Sequence, residues 1–528
     1  MTDAGGSAIS ARLMNDLRRN PVPSGNRPLL GGSLNGYLNS NLLPCGAALM
    51  TLGCASLVHG ADASLDRGRE QRPNVLFLAV DDLRPELGSY GFDHMVTPNI
   101  DALAANGVRF ERAYCMVPVC GASRATLMTG LRPGPGFMDH WTSRADRDAP
   151  DAVPLHAHFT AHGYRTVSLG KVFHYMDDHA AGWSEPPWRP SHPGVSYCDC
   201  YVLPESLETA RRHREAAPRG PRQRHRGPPY EIADVPDEAY SDGMTNERAI
   251  EDLRRLAAGG EPFFLAVGYV RPHLPFLAPQ RYWELYDPEM IALPENYKPP
   301  TDCPRQALHN WSELRAYAGV PQSGPLPDDL ALRLIHGYYA CVSYVDALIG
   351  RLLDELDVLG LADNTVVVLW GDHGWQLGEH GLWCKHSCFE TSMRAPLIVR
   401  VPGGKTGLSV EALVEFIDIY PTLCDLTAIP RPEHLEGVSF EPMLYGHGMP
   451  AAKEHALGRY GRGETIRNDR YRYTEFVNNR GEIVARMLFD HDVDPRETVN
   501  VVASAEHREA VEELSRRLAA NRVAPRDH

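Results

Sequence analysis

The period of the hydrophobic pattern changes repeatedly along the chain. Arg72 to Val80 holds an unbroken apolar run (NVLFLAV), the pattern of a strand buried on both faces. The segment from Thr97 to Gly107 (TPNIDALAANG) then reads as a short helix, with Thr97 or Asn99 placed to cap it and Gly107 to stop it. Val108–Tyr114 predicts a second strand, and Arg165–Leu169, Pro262–Val270, Asn364–Trp370 and Pro396–Val401 predict more. Helical periods run over Ala239–Ala257, Asp329–Leu359 and Ala412–Leu426. Strands alternating with helices predict an α/β fold, with a large mostly parallel sheet sandwiched by helices. No fixed-period repeat is visible.

Three stretches break this rhythm. Residues 1–63 begin Gly-, Ser-, Asn- and Pro-rich and read as a disordered tail. Within them Leu42–Val58 is apolar and ends near Ala61-Asp62-Ala63, the pattern of a signal peptide, which predicts export and a mature start near Ser64. Residues 185–236 are rich in Pro and Arg (Arg211, Arg212, Arg214, Arg219, Arg222, Arg224 and Arg226). They read as a solvated surface insertion, or as an anion-binding rim for a charged polymer. After about Arg431 the pattern changes again. Arg470–Phe476 alternates as a strand, Asn478–Gly481 reads as a turn, Glu482–Phe489 as a second strand, and Ala505–Ala519 as an amphipathic helix. The expected division is a main domain over 64–430 and a smaller α+β subdomain with an antiparallel sheet over 431–528.

Composition narrows the function classes. The 528 residues are 43% apolar and 23% charged, a globular composition long enough for a large core. The net charge of −15 disfavours nucleic acid as a partner. No run reaches ~20 apolar residues, so no stable membrane insertion is expected. Eleven cysteines in so long a chain do not make a disulfide scaffold. Only five of the 53 basic residues are lysine, at Lys171, Lys298, Lys385, Lys405 and Lys453, which makes each worth locating.

Candidate chemistry gathers at strand ends. Asp81-Asp82 stands at the carboxyl end of the first strand, where open α/β sheets bind ligands. Adjacent carboxylates repel each other and together suit a hard divalent cation; alone, the pair also fits a solvated turn. Gly371-Asp372-His373-Gly374 repeats the arrangement, Asp372 offering oxygen and His373 a nitrogen or a supporting donor. Cys120-Gly121-Ala122-Ser123-Arg124 precedes a possible helix at Ala125–Leu131, whose N-terminus attracts anions beside the fixed charge of Arg124. Cys120 is either a nucleophile in that field or a packed thiol, and spacing alone leaves both open. Weaker candidates are Cys198-Asp199-Cys200 as a metal or disulfide pair, with an ordinary loop the preferred reading, Cys384 and Cys388 as packed thiols, His140-Trp141 as a sugar-subsite wall, Glu379-His380 as scaffold and Asn310-Trp311-Ser312 as a glycosylation sequon.

Taken together these stretches resemble the sulfatase family. Cys120 to Leu131 (CGASRATLMTGL) is similar to its signature C-x-P/A-S-R-x-x-L-x-T-G, in the alanine form. DDLRP (81–85), TPNIDALA, GKVFH (170–174), RPHLPF (271–276) and GDHGWQLGEHG (371–381) also match, in the family's order across about 70 to 400. The variants resemble the iduronate-2-sulfatase branch most closely. The resemblance implies the alkaline-phosphatase-like fold, a Ca2+ ion, and Cys120 oxidised to formylglycine by a separate maturation enzyme. In that chemistry one hydroxyl of the hydrated aldehyde attacks sulfur, and the other expels sulfate by forming the aldehyde again, so no water need attack a crowded centre.

Roles follow by analogy. Asp81, Asp82, Asp372 and His373 would hold the ion together with an oxygen of modified Cys120. Arg124 would orient the hydrate, Lys171 and His174 would face sulfate and hydrate, Lys385 would pair with a sulfate oxygen, and His273 would protonate the leaving alkoxide. The implied substrate is a sulfated saccharide, a 2-O-sulfated uronic acid of a glycosaminoglycan by branch resemblance. The implied location is periplasmic or secreted, with a bacterial source favoured by the arginine bias, or lysosomal in a eukaryote. Two other readings stand beside it: a phosphoester or phosphonate hydrolase on the same fold, and a non-catalytic polysaccharide-binding protein with Cys120 unmodified.

Overall fold

The computed structural model describes residues 72–191, 197–216, 226–448 and 453–523. The tail and signal peptide expected over 1–63 lie outside these. The main sheet has seven strands: β1 (Asn74–Val80), β2 (Val108–Tyr114), β3 (Arg165–Gly170), β4 (Phe263–Tyr269), β5 (Thr365–Gly371), β6 (Leu397–Arg400) and β7 (Leu408–Glu415). Their spatial order is β7-β2-β6-β5-β1-β4-β3. β1 lies centrally, parallel to both β4 and β5, and β3 is parallel to β4. β6 alone runs antiparallel to its neighbours β2 and β5.

The unbroken apolar run of β1 is explained by its two covered faces. Leu76, Leu78 and Val80 enter one core with the helices α3 (Ser241–Gly259) and α4 (Asp328–Val358). Val75, Phe77 and Ala79 enter the other with α2 (Cys120–Thr129) and α5 (Ile419–Leu426). The period of two along a strand delivers alternate side chains to opposite layers. Helix α1 (Pro98–Ala105) is tied to α4 by Asp346, whose carboxylate accepts the Asn99 and Ile100 N–H groups at 3.1 and 2.7 Å. Thr97 is its N-cap residue, but its hydroxyl caps nothing. It accepts the Gly88 N–H and donates to Asp101 instead.

Three expectations need correction. Ala412–Leu426 is not one helix: its first residues belong to edge strand β7, a 3-10 turn covers Phe416–Asp418 and α-helix begins at Ile419, because pairing with β2 overrides the helix-forming Ala and Leu. The signature helix starts at Cys120 itself rather than Ala125 and ends at Thr129, with Gly130 left-handed at its C-cap. The last segment holds four antiparallel strands rather than two, Ala456–Tyr460 and Gly463–Arg467 preceding Tyr471–Val477 and Ile483–Asp490. The helix Arg508–Ala520 packs its Leu514 and Leu518 on this sheet.

Candidate active site

Four parallel strands end at one edge of the sheet, and the site is built from the residues that follow them. Asp81 and Asp82 follow β1, Lys171 follows β3, Arg271–His273 follow β4, and Asp372 and His373 follow β5. Backbone bonds hold the turns in register: Asp81 N–H donates to the Tyr269 carbonyl, Asp372 N–H to Val80 and Lys171 N–H to Gly268, at 2.8–3.1 Å. Cys120 arrives from below as the first residue of α2. Gly121 is required there, since a Cβ would stand 2.2 Å from the Trp141 carbonyl oxygen.

Donor atoms of Asp81, Asp82, Cys120 and His373 all lie within 4.8 Å of one another, and all four side chains are buried. His373 Nε2 stands 3.3 Å from Cys120 Sγ and 3.4 Å from Asp82 Oδ1. Its Nδ1 faces the Gly374 carbonyl at 3.0 Å, so Nδ1 donates there and Nε2 is the nitrogen turned on the cluster. Asp372 stands just beside this group. One oxygen accepts the Asp82 N–H at 3.0 Å and lies 3.6 Å from His373 Nε2, while the other accepts Arg124 Nε at 2.9 Å. Asp82 has a left-handed backbone (φ 59°), and Tyr338 of α4 fixes it by donating to its carbonyl at 2.8 Å.

The electrostatics fit a cation. Burial raises Asp81, but Lys171 and Arg124 overcome this and hold its carboxyl well below the ordinary range. Burial drives Asp82 the other way, up to about 7, against the pull of Lys385. A carboxylate pair in which one member resists ionisation lacks positive charge, and hard oxygen donors with one imidazole nitrogen suit a divalent ion. Burial and the Asp81 charge push the Cys120 thiol well up, so as an unmodified cysteine it is a poor thiolate nucleophile.

Three fixed cations face the carboxylates. Arg124 is fully buried between Asp81 (3.1 Å) and Asp372 (2.9 Å). Lys171 Nζ bonds Asp81. Lys385 Nζ bonds both oxygens of Asp82 at 3.1 Å, over the Trp375 ring. Cys120, His174, His273 and Lys385 open onto one cavity of about 490 Å³, together with Trp141, Arg226, Asn310 and Glu313. His174 is pushed down to about 2 by burial and Lys171, which keeps it neutral. The ten residues to which the resemblance gave metal or catalytic roles thus gather at this strand edge.

Some supporting residues carried no motif. Asp242 of α3 accepts the Val270 and Arg271 N–H groups at 2.8 and 2.7 Å and so pins the His273 loop. Arg189, inside the Pro/Arg-rich insertion, donates to the Gly170 and Phe173 carbonyls and pins the Lys171 loop. Glu313 binds His273 and Lys385, and nothing in its local sequence announced it. Of the insertion's arginines, Arg211 and Arg212 pair with Glu208 on their own helix, Arg226 lines the cavity, and Arg219, Arg222 and Arg224 lie outside the described residues. Trp141 and the exposed sequon residue Asn310 also line the cavity. Cys384 and Cys388 are buried free thiols, and Cys198 and Cys200 are free thiols in a loop. Among the described residues no helix is long and apolar enough to cross a membrane.

Comparison with known proteins places the chain in a family. A family model described as Sulfatase matches residues 73–429, and one described as N-sulphoglucosamine sulphohydrolase, C-terminal, matches 378–524. Iduronate 2-sulfatase of Mus musculus is 31% identical over 518 residues, covering 82% of this chain and 91% of its own. A sulfatase of Formosa agariphila is 31% identical over 485 residues (84% and 85%), and choline-sulfatase of Rhizobium meliloti 27% over 450 (81% and 82%). Among solved structures, phosphonate monoester hydrolase from Silicibacter pomeroyi superposes with TM-score 0.68 at 24% identity, covering 86% of this chain and 96% of its own. A protein in complex with its substrate D-glucosamine-2-N,6-O-disulfate superposes with TM-score 0.66 at 22% identity (85% and 97%); at these identities the likeness is one of fold. On the family match and the relatives' coverage, the chain belongs to the sulfatase family, enzymes that hydrolyse sulfate esters.

Proposed function

We propose that this sulfatase removes sulfate from sulfated sugars, with 2-O-sulfated uronic acid residues of a glycosaminoglycan or similar polysaccharide as substrate. The observation that carries the reaction is the position of Cys120, a thiol with a raised pKa enclosed by two carboxylates, His373 and three fixed cations. The uronic acid reading rests on the relatives named iduronate 2-sulfatase.

In this reading Asp81, Asp82, Asp372 and His373 hold Ca2+ together with residue 120. When bound, the ion neutralises a sulfate oxygen and lowers the pKa of the hydroxyl beside it. Residue 120 works as formylglycine, formed from Cys120 by a maturation enzyme; its hydrate supplies both the oxygen that attacks sulfur and the hydroxyl that releases sulfate. Arg124 orients that hydrate from its fixed place between Asp81 and Asp372. Lys171 and Lys385 bind sulfate oxygens, and the neutral His174 ring hydrogen-bonds on the hydrate side. His273 donates a proton from Nε2 to the leaving sugar oxygen. Export through the leader over 1–63 completes the proposal, since the polysaccharide is met outside the cytoplasm.

A phosphoester or phosphonate hydrolase is the second reading, on the fold shared with phosphonate monoester hydrolase. Against it, the potential second metal group of Asp82, His273 and Glu313 already encloses the ammonium of Lys385. The test is a liberated-sulfate assay over defined sulfated disaccharides, with phosphate and phosphonate esters on the same preparation, and peptide mass spectrometry of residue 120. Sulfate release from 2-O-sulfated uronides and a loss of about 18 Da at Cys120 are expected. An unmodified thiol in active protein, or preferential phosphate release, overturns the proposal.

A further inference from the structure

A sulfate-binding cavity that contains a carboxylate needs a reason. Glu313 reaches this cavity from an irregular loop, its side chain 16% exposed. Its Oε1 lies 2.9 Å from His273 Nε2 and 3.0 Å from Lys385 Nζ. The other ring nitrogen, His273 Nδ1, faces the Leu274 carbonyl. The imidazole therefore has one nitrogen tied to backbone and the other aimed at Glu313, with Asp82 Oδ2 farther off at 3.9 Å. Without Glu313 no other carboxylate lies closer to Nε2 than Asp82 among the described residues.

The loop beneath Glu313 is braced by hydrogen bonds. Arg315 donates to the carbonyls of Asn310, Pro321 and Gly324 and lies 4.0 Å over the Trp311 ring. Trp311 Nε1 in turn donates to the Gly381 carbonyl at 3.2 Å, which joins this loop to the segment carrying Lys385. Side chains that fix the orientation of a reacting group are themselves held by such supports.

From this arrangement we infer that Glu313 is a positioning residue for sulfate-ester hydrolysis: by accepting the hydrogen bond from His273 Nε2 it holds that N–H at the cavity, where the leaving oxygen of a bound substrate takes over the same hydrogen, and it ties the ring to Lys385. The inference rests on the sulfatase reading of the site and on His273 as the donor to the leaving oxygen. A carboxylate beside a proton donor fixes its direction, and misdirection matters most where the leaving group needs the proton. Sugar alkoxides are poor leaving groups and aryl oxides good ones.

The experiment compares wild type, Glu313→Gln, Glu313→Asp, His273→Ala and the double variant on two substrates, 4-nitrophenyl sulfate and a 2-O-sulfated uronide disaccharide. The Gln variant is expected to lose about tenfold or more in kcat on the sugar sulfate beyond its loss on the aryl sulfate, within the 10–100-fold range of such supporting residues. Asp, which keeps the charge on a shorter arm, is expected to recover part of it. In the His273→Ala background, Glu313→Gln should add less than about twofold on the sugar sulfate, since both act on one proton transfer. Equal losses on both substrates, or losses that multiply in the double variant, overturn the inference. Circular dichroism melting of each variant separates these results from misfolding: if Gln does not fold, the same comparison is read from Asp, where a substrate-independent loss overturns it equally. Failure of wild type to release sulfate from either substrate would instead overturn the sulfatase reading beneath it.

Discussion

Replacing Arg124 by Met tests the electrostatics of the site most directly. The guanidinium is wholly buried, 3.1 Å from Asp81 and 2.9 Å from Asp372, and it also donates to the Lys171 and Val172 carbonyls. Met fills similar space but removes the charge and every donor. Two buried carboxylates then lose a partner, a change that costs about 3–5 kcal/mol when one member of a buried pair is deleted. Unfolding entropy near 2.1 cal/mol/K per residue gives about 1 kcal/mol/K for the unit Arg67–His528, so Tm should fall by about 3–5 °C. Melting is followed by calorimetry in chelator and again in millimolar calcium. A divalent ion on the carboxylates replaces part of the lost charge, so the deficit should narrow in calcium. Turnover should fall about 10²–10³-fold, the scale for one preorganised charge at a reacting oxygen. A variant that melts within about 1 °C of wild type in chelator, or whose deficit widens in calcium, refutes the reasoning.

Other perturbations follow from the same geometry. Cys120→Ala should abolish sulfate release while melting within a few degrees of wild type, and residual turnover on 4-nitrophenyl sulfate would remove residue 120 as nucleophile. Gly121→Ala drives a Cβ to 2.2 Å from the Trp141 carbonyl; the backbone must shift, at about 1–3 kcal/mol, and both activity and Tm should drop. A carboxyl raised in the folded state contributes stability at low pH that is lost as pH rises through its folded value. With Asp82 raised to about 7, the chelated protein should therefore lose stability progressively as pH rises from about 4 to 7. Calcium should stabilise more at pH 7.5 than at pH 5, read as the difference in Tm with and without the ion, and a pH-independent difference would count against the carboxylate site.

The legibility of each feature in the sequence depended on how local its signal was. The run of β1 was legible because burial of both faces leaves no polar position, whereas β7 was hidden, since LSVEALVE contains helix formers and becomes a strand only by pairing with β2. Asp81, Asp82, Cys120, Asp372 and His373 were legible for a similar reason: each sits in a short motif at a strand or helix end, where a parallel sheet assembles ligands. Glu313, Asp242 and Arg189 lie in stretches without a motif, and only the tertiary fold brings them to His273 and Lys171. Their charges change the meaning of the whole. Asp81, Asp82, Asp372 and Glu313 face Arg124, Lys171 and Lys385, so the cluster is short by one positive charge when every carboxylate is ionised. A bound divalent ion turns that deficit into an excess of one, matched to the single negative charge of a sulfate ester. The net charge of −15 over the chain does not oppose such a substrate, because at contact distance the local excess dominates and the distant charges are screened within about 10 Å at 0.1 M salt.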